Sequence, residues 1–355
     1  MSTLLHKAAY AMDDKEYWRS EKVAFLALCS LRGVGFSTLH KWAVSQASFK
    51  DVLRNPSKFG IERLLDPSDA NLDVVLSDIW QRGLELARTL SSMGIRVIFK
   101  NELVFPQRLR DISSPPEWIF VQGNLENLYG PTVGVVGTRK PTDDGLFLAR
   151  MVVSSMCSVP VATVSGLASG IDQLAHIESL RCNIPTVAVL GTGIFDNYPK
   201  GSEALRRAIV GAGGTILTEY LPYQSYSSEN FVSRNRLQAA LSDFLLPVEW
   251  KVKSGTAHTV RFARSYGRKV VSVRLPYSPC SSPELDFIRD DCEGLEFVLP
   301  QDADRFADIV SAIIESSVGC ELVGVESVSD LGVESSSGKF DAEDPVSSDP
   351  QLPLI

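Results

Sequence analysis

The sequence predicts an α/β protein built on a doubly wound parallel sheet, with a helical region ahead of it. Three observations carry this. Short β-branched runs recur from residue 132 onwards, at 133–136, 161–164, 186–190, 215–218, 244–249 and 269–274. Helical stretches separate them, as in Leu237, Ala240, Leu241 and Phe244, spaced i, i+3, i+4 and i+7. Apolar strands that alternate with helices are covered on both faces, the pattern of βαβ crossover units. Finally, 355 residues at 44% hydrophobic and 22% charged supply a sizeable core, enough on length for roughly two or three domains.

Taken in chain order, residues 20–92 read as helical. Val23, Leu26, Ala27 and Leu31 share one helical face, and Leu72, Val75, Leu76 and Ile79 share another. Between them, Leu31-Arg-Gly-Val-Gly-Phe-Ser-Thr-Leu39 is a glycine-punctuated turn of helix-hairpin-helix type. Such a turn either sets backbone N–H groups against a phosphate or simply joins two packed helices. Residues 95–130 form a transition: a strand at 95–99, a proline-containing stretch at 105–116 and a second strand at 118–121. After the six regular strands, a last helix is expected from Asp302 to Ile314. The domains expected are therefore a helical unit over 1–92, of SAM or helix-hairpin-helix type, the sheet domain over 93–315, and an acidic, disordered tail over 316–355.

Charge is unevenly placed. The whole chain has a formal net charge of −8, but residues 316–355 alone hold Glu321, Glu326, Asp330, Glu334, Asp341, Glu343, Asp344 and Asp349 against a single base, Lys339. Residues 131–275 carry more Lys and Arg than Asp and Glu, so the central segment is basic. Six cysteines are scattered without a CxxC pair and only four histidines are present, so neither a zinc site nor a disulfide scaffold is expected. No apolar run approaches the ~20 residues of a membrane span, and the first residues hold no signal-peptide core. The expectation is a cytoplasmic protein with reduced thiols and no bound metal or cofactor.

In an open parallel sheet, ligands bind beyond the carboxyl ends of the strands, so the loops there hold the candidate chemistry. After the first sheet strand comes Gly137-Thr138-Arg139-Lys140, with a helix start following. Glycine allows close approach of the backbone, and the helix start offers N–H groups to an anion. The second loop, Ser165-Gly166-Leu-Ala-Ser-Gly170, also runs into a helix. Within it Asp172 and His176 lie four residues apart, a spacing open to a catalytic pair but read as a structural hydrogen bond fixing the loop. This is not GxGxxG, and Ser165 stands where a ribose-binding acid is wanted, which argues against NAD. The third loop brings Gly191, Gly193 and the aromatic Tyr198, and Glu219 ends the fourth strand. Phe231, Arg234, Asn235 and Arg236 form a segment with two arginines flanking an asparagine. Arginine suits bidentate phosphate contacts, and Phe231 or Tyr198 suits base stacking. The alternative for either arginine is an internal ion pair to Glu219 or Glu249. Lys253-Ser254-Gly255 opens one further helix in a phosphate-compatible way.

In order, GTRKPTDDG (137–145), SGLASGIDQLAH (165–176), AVLGTGIFDNYP (188–199), TEYLP (218–222), FVSRNRLQAALS (231–242) and SGTAHT (254–259) resemble the DNA-processing protein DprA/Smf family, as does the lead-in FPQRLRDISSPPEWIFVQGN (105–124). The resemblance implies an extended Rossmann-like, mostly parallel sheet. It implies a non-catalytic protein that binds single-stranded DNA, protects incoming DNA during natural transformation and delivers it to the recombinase RecA, acting as a homodimer. It places Arg139 and the arginines of SRNR along the DNA pocket. Two departures stand out: Ser169 replaces a frequent lysine, and the acidic tail lies where some members carry a winged-helix domain. The alternatives are a nucleotide phosphoribohydrolase-like enzyme or a nucleotide-sensing module. The first is disfavoured because Lys253-Ser-Gly-Thr-Ala-His-Thr259 lacks the PGGxGTxxE glutamate.

Overall fold

The computed structural model describes residues 2–65 and 72–321. Its first layer is helical: α1 (Ser2–Cys29), α2 (Phe36–Val44), α3 (Phe49–Arg54), α4 (Pro56–Phe59) and α5 (Leu72–Ser92). α1 and α5 cross closely because residue 83 is glycine; a Cβ there would lie 2.7 Å from that of Ala27. α3 is started twice over. Ser48 caps it by accepting the Asp51 amide, and the Glu21 carboxylate accepts the Phe49 amide at 2.8 Å. The buried faces of these helices do not close on themselves. Phe25 packs on Trp118 with ring centroids 4.8 Å apart and Phe49 on Phe99 at 5.6 Å, so helices and outer strands share one apolar cluster.

The remaining elements are β1 (Ile95–Phe99), α6 (Gln107–Arg110), β2 (Trp118–Gly123), β3 (Thr132–Gly137), α7 (Asp143–Ser154), β4 (Ala162–Ser165), α8 (Ile171–Arg181), β5 (Thr186–Val189), α9 (Glu203–Gly211), β6 (Thr215–Thr218), α10 (Ser228–Leu241), β7 (Phe244–Val248), α11 (Gly255–Ser265), β8 (Lys269–Arg274), α12 (Pro283–Asp286), β9 (Leu295–Val298) and α13 (Ala303–Glu321). The sheet runs β1-β2-β6-β5-β4-β3-β7-β8-β9. From β6 to β9 every pairing is parallel, as the alternation of strands and helices predicts. β2 joins β6 antiparallel and β1 joins β2 antiparallel, extending the parallel sheet. β9 was not anticipated from sequence, and α13 continues past the expected end at Ile314. The part of the expected tail over 322–355 lies outside the described residues.

The chain steps outward from β3 through β4, β5 and β6, then returns through α10 to lay β7 on the other side of β3. The order therefore reverses between β3 and β7, and at that point a crevice opens beyond the carboxyl strand ends. β3 is covered on both faces. Val133 and Val135 pack with α7 and α8, and Val136 packs with α11 residues on the opposite side, following the alternation of side chains along a strand. Gly137 ends β3, and a Cβ there would overlap the carbonyl oxygen of Val248 and meet Ile171 at 2.7 Å. Only glycine lets β7 and α8 come this close to the loop. Among the described residues, no helix is long and apolar enough to cross a membrane.

Candidate functional site

A cavity of about 540 Å³ sits at the reversal point, walled by the end of β3, the loop after β4, one side of α10 and the start of α11. Of the residues singled out in the sequence, Gly137, Thr138, Arg139, Phe231, Arg234, Asn235, Ser254 and Gly255 all line it. These come from two separate βα loops and one helix, brought together by the crossover topology. Arg139 is exposed on the rim, with its guanidinium 5.4 Å from the Phe231 ring centroid. That distance suits a cation–π contact and leaves the charge facing solvent. Phe231 continues into an aromatic group with Tyr198, 5.0 Å away, and Tyr226, which lies 4.4 Å from Tyr198.

The floor is polar and mostly satisfied. Arg234 is 3% exposed. It donates to the carbonyl of Gly166 at 2.8 Å and to that of Val189, tying the ends of β4 and β5 to α10. Burial lowers its pKa to about 10, so it stays charged at neutral pH, with Asp172 as its opposite charge. Asp172 accepts the Gly166 amide at 3.1 Å, which pins the second loop. Its removal from water raises its pKa to about 6, with Arg234 and Arg139 pulling the other way. Asp172 and His176 do not form a catalytic pair. The His176 Nδ1 shares a 2.7 Å hydrogen bond with the Thr186 hydroxyl, its Nε2 has no partner among the described residues, and burial lowers its pKa to about 3.

The two helix starts at the reversal point differ. α7 is closed by the protein's own groups: Thr142 accepts the Gly145 amide, and the Glu249 carboxylate accepts the Thr142 amide at 2.8 Å. The sequence-based expectation that this helix start receives an external anion is therefore corrected, because a carboxylate already lies there. α11 has no side-chain cap. Gly255 and Thr256, its first residues, have no intrahelical acceptor for their amides, and both line the cavity. Thr256 Oγ1 donates to the Gly137 carbonyl at 2.9 Å and Asn235 Nδ2 to that of Gly255 at 3.1 Å, so β3, α10 and α11 are locked around the opening.

Tyr198 and Asp172 also line the cavity, whereas the other singled-out residues lie off it. Lys140 and Lys253 are exposed beside lining residues. Gly166 makes room for the Arg234 guanidinium, Gly170 holds φ +89° against the Thr138 carbonyl, and Gly191 makes room for the Phe231 ring. Gly193 packs under Leu221 and Pro222. Ser165 is fully buried, its hydroxyl donating to the Val135 carbonyl at 2.7 Å. Arg236 is engaged inside the fold: it grips Glu219 with both terminal nitrogens, Nη2 at 2.6 Å, and donates to the Ser114 carbonyl at 2.8 Å. This is the internal ion pair held open as the alternative for one of the two arginines. Several lining residues were not singled out, the polar Gln238 and the aromatic Tyr226 among them. Gln238, 1% exposed and with no partner for its Nε2 among the described residues, lies one helical turn after Arg234, so helical spacing could have found it. Tyr226 had no local signal, since only tertiary folding brings it to Tyr198. Among the described residues, no group of three His, Cys, Asp or Glu gathers as a metal site.

Residues 96–294, more than half of the chain, match the family described as DNA recombination-mediator protein A. Protein Smf of Synechocystis sp. is 40% identical over 179 residues, spanning 49% of this chain and 44% of that protein. DNA processing protein DprA of Streptococcus pneumoniae is 35% identical over 191 residues, spanning 54% of this chain and 64% of that one. The match thus spans less than two thirds of either relative's own length. The X-ray structure of DNA processing protein A from Streptococcus pneumoniae aligns with TM-score 0.55 and 25% identity, over 81% of this chain and 97% of that one. DNA processing protein A from Helicobacter pylori, whose structure describes a single-stranded DNA binding mode, shares the fold at TM-score 0.54 and 21% identity, over 64% of this chain and 98% of that one.

Proposed function

This chain belongs to the DNA recombination-mediator protein A family, and from that premise we propose that it binds single-stranded DNA in the cavity between β3 and β7. The carrying observation is that Arg139 lies over Phe231 on the rim of a cavity whose floor holds Arg234. Phosphates pair with Arg139 and with the open amides of Gly255 and Thr256, while unstacked bases lie on Phe231, Tyr198 and Tyr226. The opening fits a flexible strand whose bases are free, since a duplex keeps its bases stacked inside. Gln238 faces the same space and supplies an amide to a base edge. The reading is of a binding protein: the buried Asp172 and His176 are each held by other partners.

At the level of cellular role, we propose that the protein acts in DNA processing during transformation. It protects incoming single strands as a dimer and passes them to RecA. Family membership supports this part.

Fluorescence anisotropy with labelled dT20 and a matched duplex at low salt tests the binding. Preference for dT20, with affinity falling as salt rises, is expected because phosphate contacts release counterions. Equal or absent binding of the two ends the reading. RecA filament formation on strands coated with single-strand-binding protein, followed with and without this chain, tests the handover. No acceleration there removes the handover alone.

A further inference from the structure

We propose that the bound strand continues from this cavity across Tyr226 and Tyr223 into a second cavity under the helical layer, where a nucleobase rather than a phosphate is taken. The inference rests on the single-strand reading above. The second cavity measures about 860 Å³ and lies between the start of α2, one side of α5 and residues 221–224. Its volume lies within the ~300–1,000 Å³ typical of small-ligand sites.

A rigid aromatic bridge joins the two cavities. Tyr226 lines the first and Tyr223 the second. They lie three residues apart in the β6–α10 loop, and each rests on an aromatic of the β5–α9 loop: Tyr226 on Tyr198 at 4.4 Å, Tyr223 on Phe195 at 4.9 Å. The two loops are held together by backbone bonds, Gly193 N–H to the Gln224 carbonyl at 2.7 Å and Phe195 N–H to that of Pro222 at 2.9 Å. The outer rings nevertheless face solvent, Tyr223 71% and Tyr226 55% exposed. Two fixed, exposed aromatic faces in succession gain little for the fold and are suited to stacking successive bases.

The lining of the second cavity decides between base and phosphate. Leu86, Leu221, Pro222 and Phe36 are apolar, and the one base, Arg82, is offset by Glu85 on the same helix. A phosphate finds no net charge there. A base finds a slot without net charge, lined by these apolar groups and by the hydroxyls of Ser30, Ser37, Thr38 and Thr89, with the uncapped start of α2 after Gly35 as a donor edge. The glycine-punctuated turn of the sequence thus acquires a place on the same path.

The test uses the full chain with labelled dT5 and dT20, and two variants. Tyr223→Ala removes the exposed stacking face; Ser37→Trp fills the second cavity from an exposed position. Each is expected to weaken dT20 binding roughly tenfold, leave dT5 binding unchanged, and leave the salt dependence of dT20 binding unaltered, because bases and not phosphates are lost. Unchanged dT20 affinity in both variants overturns the extension while dT5 binding by the native chain keeps the first site. An equal loss for dT5 and dT20 also overturns it, since the residues then belong to the first site. If the native chain binds neither oligonucleotide, the single-strand reading itself has failed.

Discussion

The Glu249 carboxylate accepts the Thr142 amide at 2.8 Å, so the end of β7 closes the first turn of the helix that follows β3. Glu249 does this from a left-handed backbone, φ +45°, a conformation that costs a residue with a Cβ about 1–2 kcal/mol. Replacement with alanine keeps that cost and loses the carboxylate, and is expected to destabilise the protein by about 1–2 kcal/mol. Glycine loses the carboxylate but relieves the backbone, so Glu249→Gly should be the more stable of the two. Urea denaturation ranks them; alanine above glycine would show that the backbone conformation carries no cost here.

Filling the space beside Glu249 should act through the same contact. A Cβ on Gly145 would overlap the Glu249 carboxylate oxygen, so Gly145→Ala must push the carboxylate off the helix start. The expected loss is about 1–3 kcal/mol. It should be largely absent when Glu249→Ala is already in place. A double-mutant cycle read by denaturation measures this coupling, and additive losses contradict it.

Arg139 and Arg236 should separate cleanly. Arg236→Ala leaves Glu219, 3% exposed, without its buried counter-charge. A loss of about 3–5 kcal/mol in stability is expected. Arg139→Ala touches an exposed side chain, so thermal unfolding should be unchanged. It should instead weaken binding to all single strands alike and shallow the log–log salt dependence by about 0.7. Salt titrations and melting curves on the two variants give both readouts.

How far the sequence reached depends on whether a feature is local. β3 to β8 were legible because buried parallel strands need consecutive apolar, β-branched residues. β9 was not, since Leu295, Glu296 and Val298 are only half-buried at the sheet edge. The strands at 95–99 and 118–121 were legible as strands, but nothing local encodes that they pair antiparallel. At the cavity, Arg139, Phe231 and Arg234 followed from the rule that ligands meet strand ends. The different uses of Arg234 and Arg236 did not. They are two residues apart on one helix and therefore point to different sides, one to Gly166 and Val189, the other to Glu219. The loop from Gly137 to Lys140 and the helix start after it read as an anion site for a sound local reason, and only folding brings the distant Glu249 carboxylate to the Thr142 amide there.

Acid stability should expose two opposed buried groups. Asp172 has its pKa raised by burial from 3.8 to about 6. Its native state therefore holds a proton more tightly than the unfolded chain, and Asp172 makes the protein less stable as pH rises from about 4 to 6. His176 has its pKa lowered by burial from 6.5 to about 3. Its unfolded form binds the proton more tightly, so it makes the protein more stable as pH rises over nearly the same window. The two slopes, each about 1.4 kcal/mol per pH unit at most, oppose one another in the native chain. Asp172→Asn removes only the first, so stability in that variant should fall steeply on acidification from pH 6 to 4 relative to the native chain. His176→Gln removes only the second, and relative to the native chain its stability should rise over the same interval. Denaturation midpoints at pH 4, 5 and 6 decide it. Parallel pH profiles for the native chain and both variants would mean that neither group titrates differently on folding.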